Sequence, residues 1–349
     1  MTILAGDIGG TKTLLQIAAD HTHQTPLTVL YEQRYVSAQF PVFDELLAEF
    51  LNAAQQAGVS MPVTACVGVA GPVIADEQGN TSAKVTNLPW LLDEKKLLAR
   101  FKFRQLRLIN DFQAVGYGLD ALAENELVVL QTGENFHQVF PQPRVLIGAG
   151  TGLGQGILVW KGGADQGCYD VLSSEGGHGN FSPGNNEQVE LLNFLLQKSQ
   201  LTKSPGRVSV EDVLSGRGLV NLYHYFAHKY PELVNPKLTQ TMLKNDAAAA
   251  VSDAALSTKD SLAGRALDLF VEIYGGQAGN LALTCLARGG VFIAGGVAPK
   301  IQSRMLSTLF LNAFQNKGPM TEMMKKIPVT LVMNPLVGLK GALLVASRL

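Results

Sequence analysis

Two glycine-rich turns constrain the fold of this 349-residue chain more than any other feature. Residues Ile3 to Ala5 are apolar and run into Gly6-Asp7-Ile8-Gly9-Gly10-Thr11, after which Thr13 to Ala18 is again strand-like. The same order returns further on. Arg144 to Ile147 lead into Gly148-Ala149-Gly150-Thr151-Gly152-Leu153-Gly154, and Ile157 to Trp160 resume strand character. Closely spaced glycines permit backbone angles that other residues avoid, so each segment reads as strand, tight turn, strand. The pair is the nearest approach to an internal repeat in the sequence. A turn so poor in side chains offers bare backbone N–H groups, a nest suited to phosphate oxygens. A plain β-turn accounts equally well for either segment alone.

The rest of the chain alternates. Val42, Phe43, Leu46, Leu47, Phe50, Leu51 and Ala54 form one apolar stripe at helical period, and Gly58 is placed to end that helix. Residues 26–35 read as a third strand and 63–70 as a buried one, closed by Gly71-Pro72. A helix is expected from about Leu91 to Arg100, then a short strand from Leu106 to Ile109 running into Asn110-Asp111, then helix over 111–121. Pro141 and Pro143 mark a loop. Residues 185–287 are mostly helical in composition, Gly289 to Gly296 is a buried strand between glycine pairs, a strand is expected near 327–332, and Val337 to Ser347 suggests a closing helix. Strands and helices alternating around a helical middle indicate an α/β chain with largely parallel sheets, and the length favours two domains.

The net charge of −1 gives no field to attract nucleic acid or an anionic membrane, and 46% hydrophobic against 16% charged residues argues against disorder. Cys66, Cys168 and Cys285 stand alone, as in a reducing compartment. The N-terminus lacks the basic and apolar regions of a signal peptide, and no apolar stretch is long enough to span a bilayer. Ser347-Arg348-Leu349 reads as a helix end and not as a peroxisomal address. A dinucleotide fingerprint fails in every frame of Gly148 to Gly154, and the absence of any Gly-Lys pair excludes a P-loop.

Several polar residues then become candidates. Asp7 is unfavourable beside phosphate unless a cation such as Mg²⁺ lies between, while Thr11 and Thr151 add hydroxyls to the two turns. Asp111 follows the carboxyl end of a strand, where ligands of open α/β sheets bind. It could accept a proton there, or merely cap the following helix. Glu175 and His178 bracket two glycines and could converge on one small polar ligand. Glu211 reads first as part of a helix turn capped by Ser209. The glycine pairs around 289–296 would admit a flat ligand such as an adenine, and plain close packing accounts for them equally well. His224 and His228 lack a nearby carboxylate motif for a metal, His21 and His23 suit an exposed turn, and no Ser-His-Asp grouping is apparent.

Taken in order, Gly6 to Thr11, Ile109-Asn110-Asp111-Phe112, Gly148 to Gly154, Glu175-Gly176-Gly177-His178, Val213-Leu214-Ser215-Gly216 and Gly289 to Gly296 resemble the bacterial glucokinase family, within the hexokinase and actin superfamily of ATPases. The resemblance runs over nearly the whole chain. It implies a two-lobed actin-like ATPase (ribonuclease H-like) α/β fold with a catalytic cleft between the lobes. The small domain would hold residues 1–110 plus about 335–349, and the large one 111–334. It implies transfer of phosphate from ATP to the 6-hydroxyl of glucose, giving ADP, with Asp111 as the base. Asn110, Glu175, His178 and Glu211 would bind the sugar. Asp7 would hold Mg²⁺ through water. Gly6, Ile8, Gly9, Gly10, Thr11, Gly150, Thr151, Gly152, Gly295 and Gly296 would surround the nucleotide. A homodimer in the cytoplasm is implied too. Gly179-Asn180-Phe181-Ser182-Pro183 carries no cysteine, unlike the zinc motif that follows the Glu-x-x-His segment of repressor-type sugar kinases, so the zinc-free group is the nearer one. Another hexose (mannose, fructose or an N-acetylated amino sugar) and a non-catalytic ATP- and sugar-binding regulator are the alternatives.

Overall fold

The computed structural model of the chain describes residues 1–19, 27–134, 141–163, 166–198, 201, 205–258 and 260–349; His21, His23 and Pro26 lie outside them. Two compact units result, residues 1–124 with 334–349, and residues 125–333.

In the first unit, β1 (Thr2–Ile8), β2 (Lys12–Ala19), β3 (Thr28–Val36), β4 (Thr64–Val69) and β8 (Gln105–Asn110) form one sheet in the order β3-β2-β1-β4-β8. β1, β4 and β8 run parallel, while β2 and β3 are added antiparallel. Its two faces are covered differently. Leu4, Ile8, Leu15 and Val67 pack beneath α1 (Phe43–Gln56), whose predicted stripe is buried at Phe43, Leu46, Leu47, Phe50, Leu51 and Ala54 but not at Val42, the exposed N-cap, and whose chain turns away at Gly58 with φ of 80°. A small sheet of β5 (Val73–Ala75), β6 (Thr81–Lys84) and β7 (Leu91–Asp93) precedes α2 (Glu94–Phe101). The helix expected from Leu91 thus begins three residues later, because Leu91 to Asp93 pairs with β6 and the Asp93 side chain caps α2 by accepting from Lys96 N at 3.0 Å.

On the other face, Ile3, Ala5, Cys66 and Ile109 share a core with Ala114 of α3 (Asp111–Gly118) and with Leu339, Ala342, Leu343 and Ala346 of the C-terminal helix (Val337–Ser347). The two helices meet backbone to backbone: a Cβ on Gly118 would lie 1.9 Å from Val337 O, and one on Gly341 1.8 Å from Ala114 O. That shared core places the division of the chain after Glu124 and not after Asn110 as the sequence suggests.

The second unit carries a six-stranded sheet of β9 (Leu127–Gln131), β10 (Arg144–Ala149), β11 (Leu153–Gly162), β12 (Gly167–Ser174), β13 (Gly290–Ala294) and β14 (Val329–Val332), ordered β12-β11-β10-β13-β14-β9. Only β10, β13 and β14 run parallel. Both main sheets are therefore mixed, a correction to the largely parallel expectation, since each glycine turn makes an antiparallel hairpin. The helical middle is α4 (Asn186–Gln197), α5 (Gly216–Lys229), α6 (Pro236–Lys244), α7 (Ala247–Asp253) and the long α8 (Ser261–Cys285). Tyr274 of α8, fully buried, accepts from Ala149 N at 3.0 Å through its hydroxyl, fixing the end of β10 where the second glycine turn begins. Among the described residues no helix is long and apolar enough to cross a membrane.

Candidate functional site

In the first unit the β1–β2 turn closes with Gly9 N donating to Lys12 O at 2.9 Å. Ser37 holds it from behind, its N–H on Thr11 O at 3.0 Å and its hydroxyl on Gly9 O at 2.9 Å. Gly10 is required by space, since a Cβ there would lie 2.8 Å from Thr86 O. Ile8 is fully buried in the core, so only its backbone can serve a ligand. Gly6 is likewise wedged between Leu15 and Val67, which its Cβ would meet at 2.9 and 3.1 Å.

Asp7, in register with Gly68 of β4, is partly buried, and desolvation pushes its carboxyl up. Asn110 and Asp111 stand at the end of β8. The cap of α3 is Asn110, whose Oδ1 accepts from Phe112 N at 3.0 Å and Gln113 N at 3.3 Å and whose Nδ2 donates to Gly71 O at 3.1 Å. Asp111 is thereby released from capping; its Oδ1 accepts from Phe112 N at 2.8 Å, and the Asn110 side chain is hydrogen-bonded to its carboxylate as well. Burial raises its pKa to about 6, and the neighbouring Asp7 charge raises it further within that value. Gly68 lets α3 lie close on β4, since a Cβ there would be 3.2 Å from Ala114 Cβ; Asp111 Cα would be in ordinary contact with it at 3.7 Å. Neither carboxylate is paired with a lysine or arginine among the described residues. Two partly buried, mutually repelling carboxylates fit a divalent cation as their missing counter-charge.

In the second unit the β10–β11 turn is drawn tight by Gly150 N donating to Gly152 O at 2.8 Å, and Gly216 N at the start of α5 donates to Gly150 O at 2.8 Å. Glu211 is buried directly under this turn. Its Oε2 accepts from Leu153 N at 3.0 Å and fills the place of a Gly152 side chain, 2.5 Å from where its Cβ would be. The capping expected around it exists without it: Ser209 and Asp212 form the capping box. Gly177 packs against the other polar end of the same residue, since its Cβ would lie 2.3 Å from Leu153 O. On that short turn Glu175 and His178 stand exposed, with His178 Nε2 3.7 Å from Glu175 Oε2. Leu153 is thus bonded through its N–H to Glu211, and its carbonyl lies against Gly177, between Glu175 and His178.

Gly150, Thr151 and Gly296 line one cavity of about 960 Å³, together with Gly216, Arg217 and the Asp246–Ala249 turn. Gly295, with φ of 82°, shapes the wall from behind, a Cβ there meeting Ala149 O at 2.5 Å. His224 and His228 take part in ring packing, His228 on Phe194 at 5.3 Å.

The glucokinase family model matches residues 4–349. The glucokinase of Nostoc punctiforme is 41% identical over 361 residues, 99% of each chain. The chain belongs to the glucokinase family. Among solved structures, a glucokinase from an Antarctic psychrotroph superposes with a TM-score of 0.82 at 31% identity, covering 100% of this chain and 99% of that one. A ROK family glucokinase from Streptomyces griseus, in complex with glucose and AMPPNP, covers 100% of both chains at a TM-score of 0.59 and 18% identity and shows the shared actin-like kinase fold.

Sequence reasoning missed four residues around the candidate site of this family member. Gly68 carried a signal, a glycine inside an otherwise apolar strand. Asp212 with its partner Arg217, and Tyr274 under the second turn, carried none, because their partners are set by the packing of separate elements.

Proposed function

We propose that Asp111 is the general base of an ATP-dependent kinase that phosphorylates glucose at its 6-hydroxyl. The carrying observation is the Asp111 carboxyl, freed from capping by Asn110, desolvated at a strand end beside Asp7, with its pKa raised to about 6. Such a group is ionised at neutral pH yet basic enough to accept the hydroxyl proton as the O–P bond forms. Phosphoryl transfer otherwise asks for positioning and charge stabilisation. The turn at Gly9, Gly10 and Thr11 and the one at Gly150, Thr151 and Gly152 would hold phosphates, and Gly295 and Gly296 the adenosine. Asn110, Glu175, His178 and Glu211 would orient the sugar. Mg²⁺, held at Asp7, would neutralise phosphate oxygens. The absence of cysteine after His178 supports the zinc-free type. A cytoplasmic homodimer completes the reading.

The test is ADP release with glucose, mannose, fructose, N-acetylmannosamine and no sugar. Glucose alone should be fast. A faster second sugar would change the substrate, and no stimulation by any sugar would favour a regulator. Asp111→Ala should lose about 10²–10⁴-fold in turnover, and a variant keeping more than a tenth of it would refute the base assignment.

A further inference from the structure

The cavity beside the second glycine turn contains a cation that no motif assigns. Arg217 is the second residue of α5, in a helix turn capped by the Ser215 hydroxyl, which accepts from Gly218 N at 3.0 Å. A positive side chain there works against the helix dipole, so its place must be supported by something else. The support is Asp212. Its side chain is 2% exposed, its Oδ2 accepts from Ser209 N at 2.9 Å and Ser209 Oγ at 2.7 Å, and its Oδ1 accepts from Arg217 Nη2 at 2.5 Å. The guanidinium is thus anchored at one corner by a carboxylate that cannot move. Arginine has five N–H donors in a planar fork, and its side chain here remains 34% exposed in the lining of the cavity. Gly216 N on Gly150 O fastens the same helix turn to the glycine turn, so the fork is held beside the backbone that would cradle phosphate. Lys300 also lines this cavity, but it is exposed and forms no ion pair among the described residues.

We infer that Arg217, oriented by Asp212, binds a phosphate group common to ATP and ADP. This rests on the kinase reading of the cavity and adds to it the residue that recognises the phosphates. A planar fork anchored on a carboxylate grips phosphate oxygens with a fixed direction, which an ammonium group cannot reproduce. Arg217 is a nucleotide-binding residue in this scheme, and Asp212 a positioning one.

The test is calorimetric titration of the full chain and of Arg217→Met and Arg217→Lys with ATP, ADP and adenosine, each with Mg²⁺, and with glucose. Losing charged hydrogen bonds to phosphate should weaken ATP and ADP by about 10- to 100-fold in Arg217→Met. Adenosine and glucose should bind as they do to the unsubstituted chain, which also shows that the variant is folded. Arg217→Lys should recover part of the ATP affinity. Unchanged ATP and ADP binding in Arg217→Met, or an equal loss for adenosine, would overturn the assignment to phosphate while leaving the kinase reading in place. Failure of the unsubstituted chain to bind either nucleotide would overturn that reading and this one with it.

Discussion

Replacing Asp111 by Asn should make the first unit more stable as it disables the site, and the gain should depend on pH. A carboxyl group that loses its proton near pH 6 in the fold, against 3.8 in an unfolded chain, resists ionisation by about 3 kcal/mol. The sign follows from linkage: the folded state binds this proton more tightly, so the penalty is complete above pH 6 and vanishes below about pH 4. Asn is neutral throughout, is the same size, and can still accept from Phe112 N. It should therefore stabilise by up to about 3 kcal/mol at pH 8, falling to roughly half of that at pH 5. The chain has two tryptophans, and Trp90 is buried in the first unit with its Nε1 donating to Phe40 O at 3.0 Å. In a Trp160→Phe background, urea unfolding followed by Trp90 fluorescence in EDTA would read the first unit alone. An Asp111→Asn chain that is no more stable at pH 8, or equally stabilised at both pH values, would refute the account of Asp111 as a desolvated carboxylate repelled by Asp7.

Three further outcomes are expected. If Asp111 must be ionised to act, kcat/KM should fall about tenfold per pH unit below pH 6 and level off above it; a profile flat to pH 5 would exclude a base of that pKa. Gly152→Ala drives a Cβ into the Glu211 carboxylate, so it should raise KM for glucose and cost about 1–3 kcal/mol of stability in thermal unfolding; a neutral result would mean that Glu211 can leave the turn freely. Gly341→Ala, whose Cβ would meet Ala114 O at 1.8 Å, should destabilise the Trp90-reported transition by at least about 1–3 kcal/mol, and wild-type stability would show that α3 and the C-terminal helix separate without cost.

Most of the architecture was legible because it rests on local patterns. The stripe from Phe43 to Ala54, the buried run at Thr64–Val69, the two glycine hairpins and the helix at Val337–Ser347 lie where periodicity and glycine spacing put them. Leu91 to Asp93 was misread as helix because a strand of three residues has no periodicity, and its partner Thr81–Lys84 is itself only four residues long. The glycine turns were legible as ligand-facing backbone, whereas Glu211 looked like part of a cap. Its bond to Leu153 N joins residues far apart in sequence, and only the assembled unit brings them together. The same holds for the capping role of Asn110, which two adjacent polar residues at a helix start leave undecided until the backbone is in place.

The first unit is built from both ends of the chain, with Thr64 Oγ1 donating to Ala346 O at 2.9 Å and the C-terminal helix covering Ile3, Ala5 and Cys66. The second unit is continuous from Asn125 to Met333. During synthesis its strands and helices are all available before that last helix leaves the ribosome, while one apolar face of the β1–β4 sheet waits uncovered. Residues 337–347, made after the whole second unit, therefore complete the core of a unit begun before it, and Asp111, on a helix that packs against them, reaches its final setting only once they have left the ribosome.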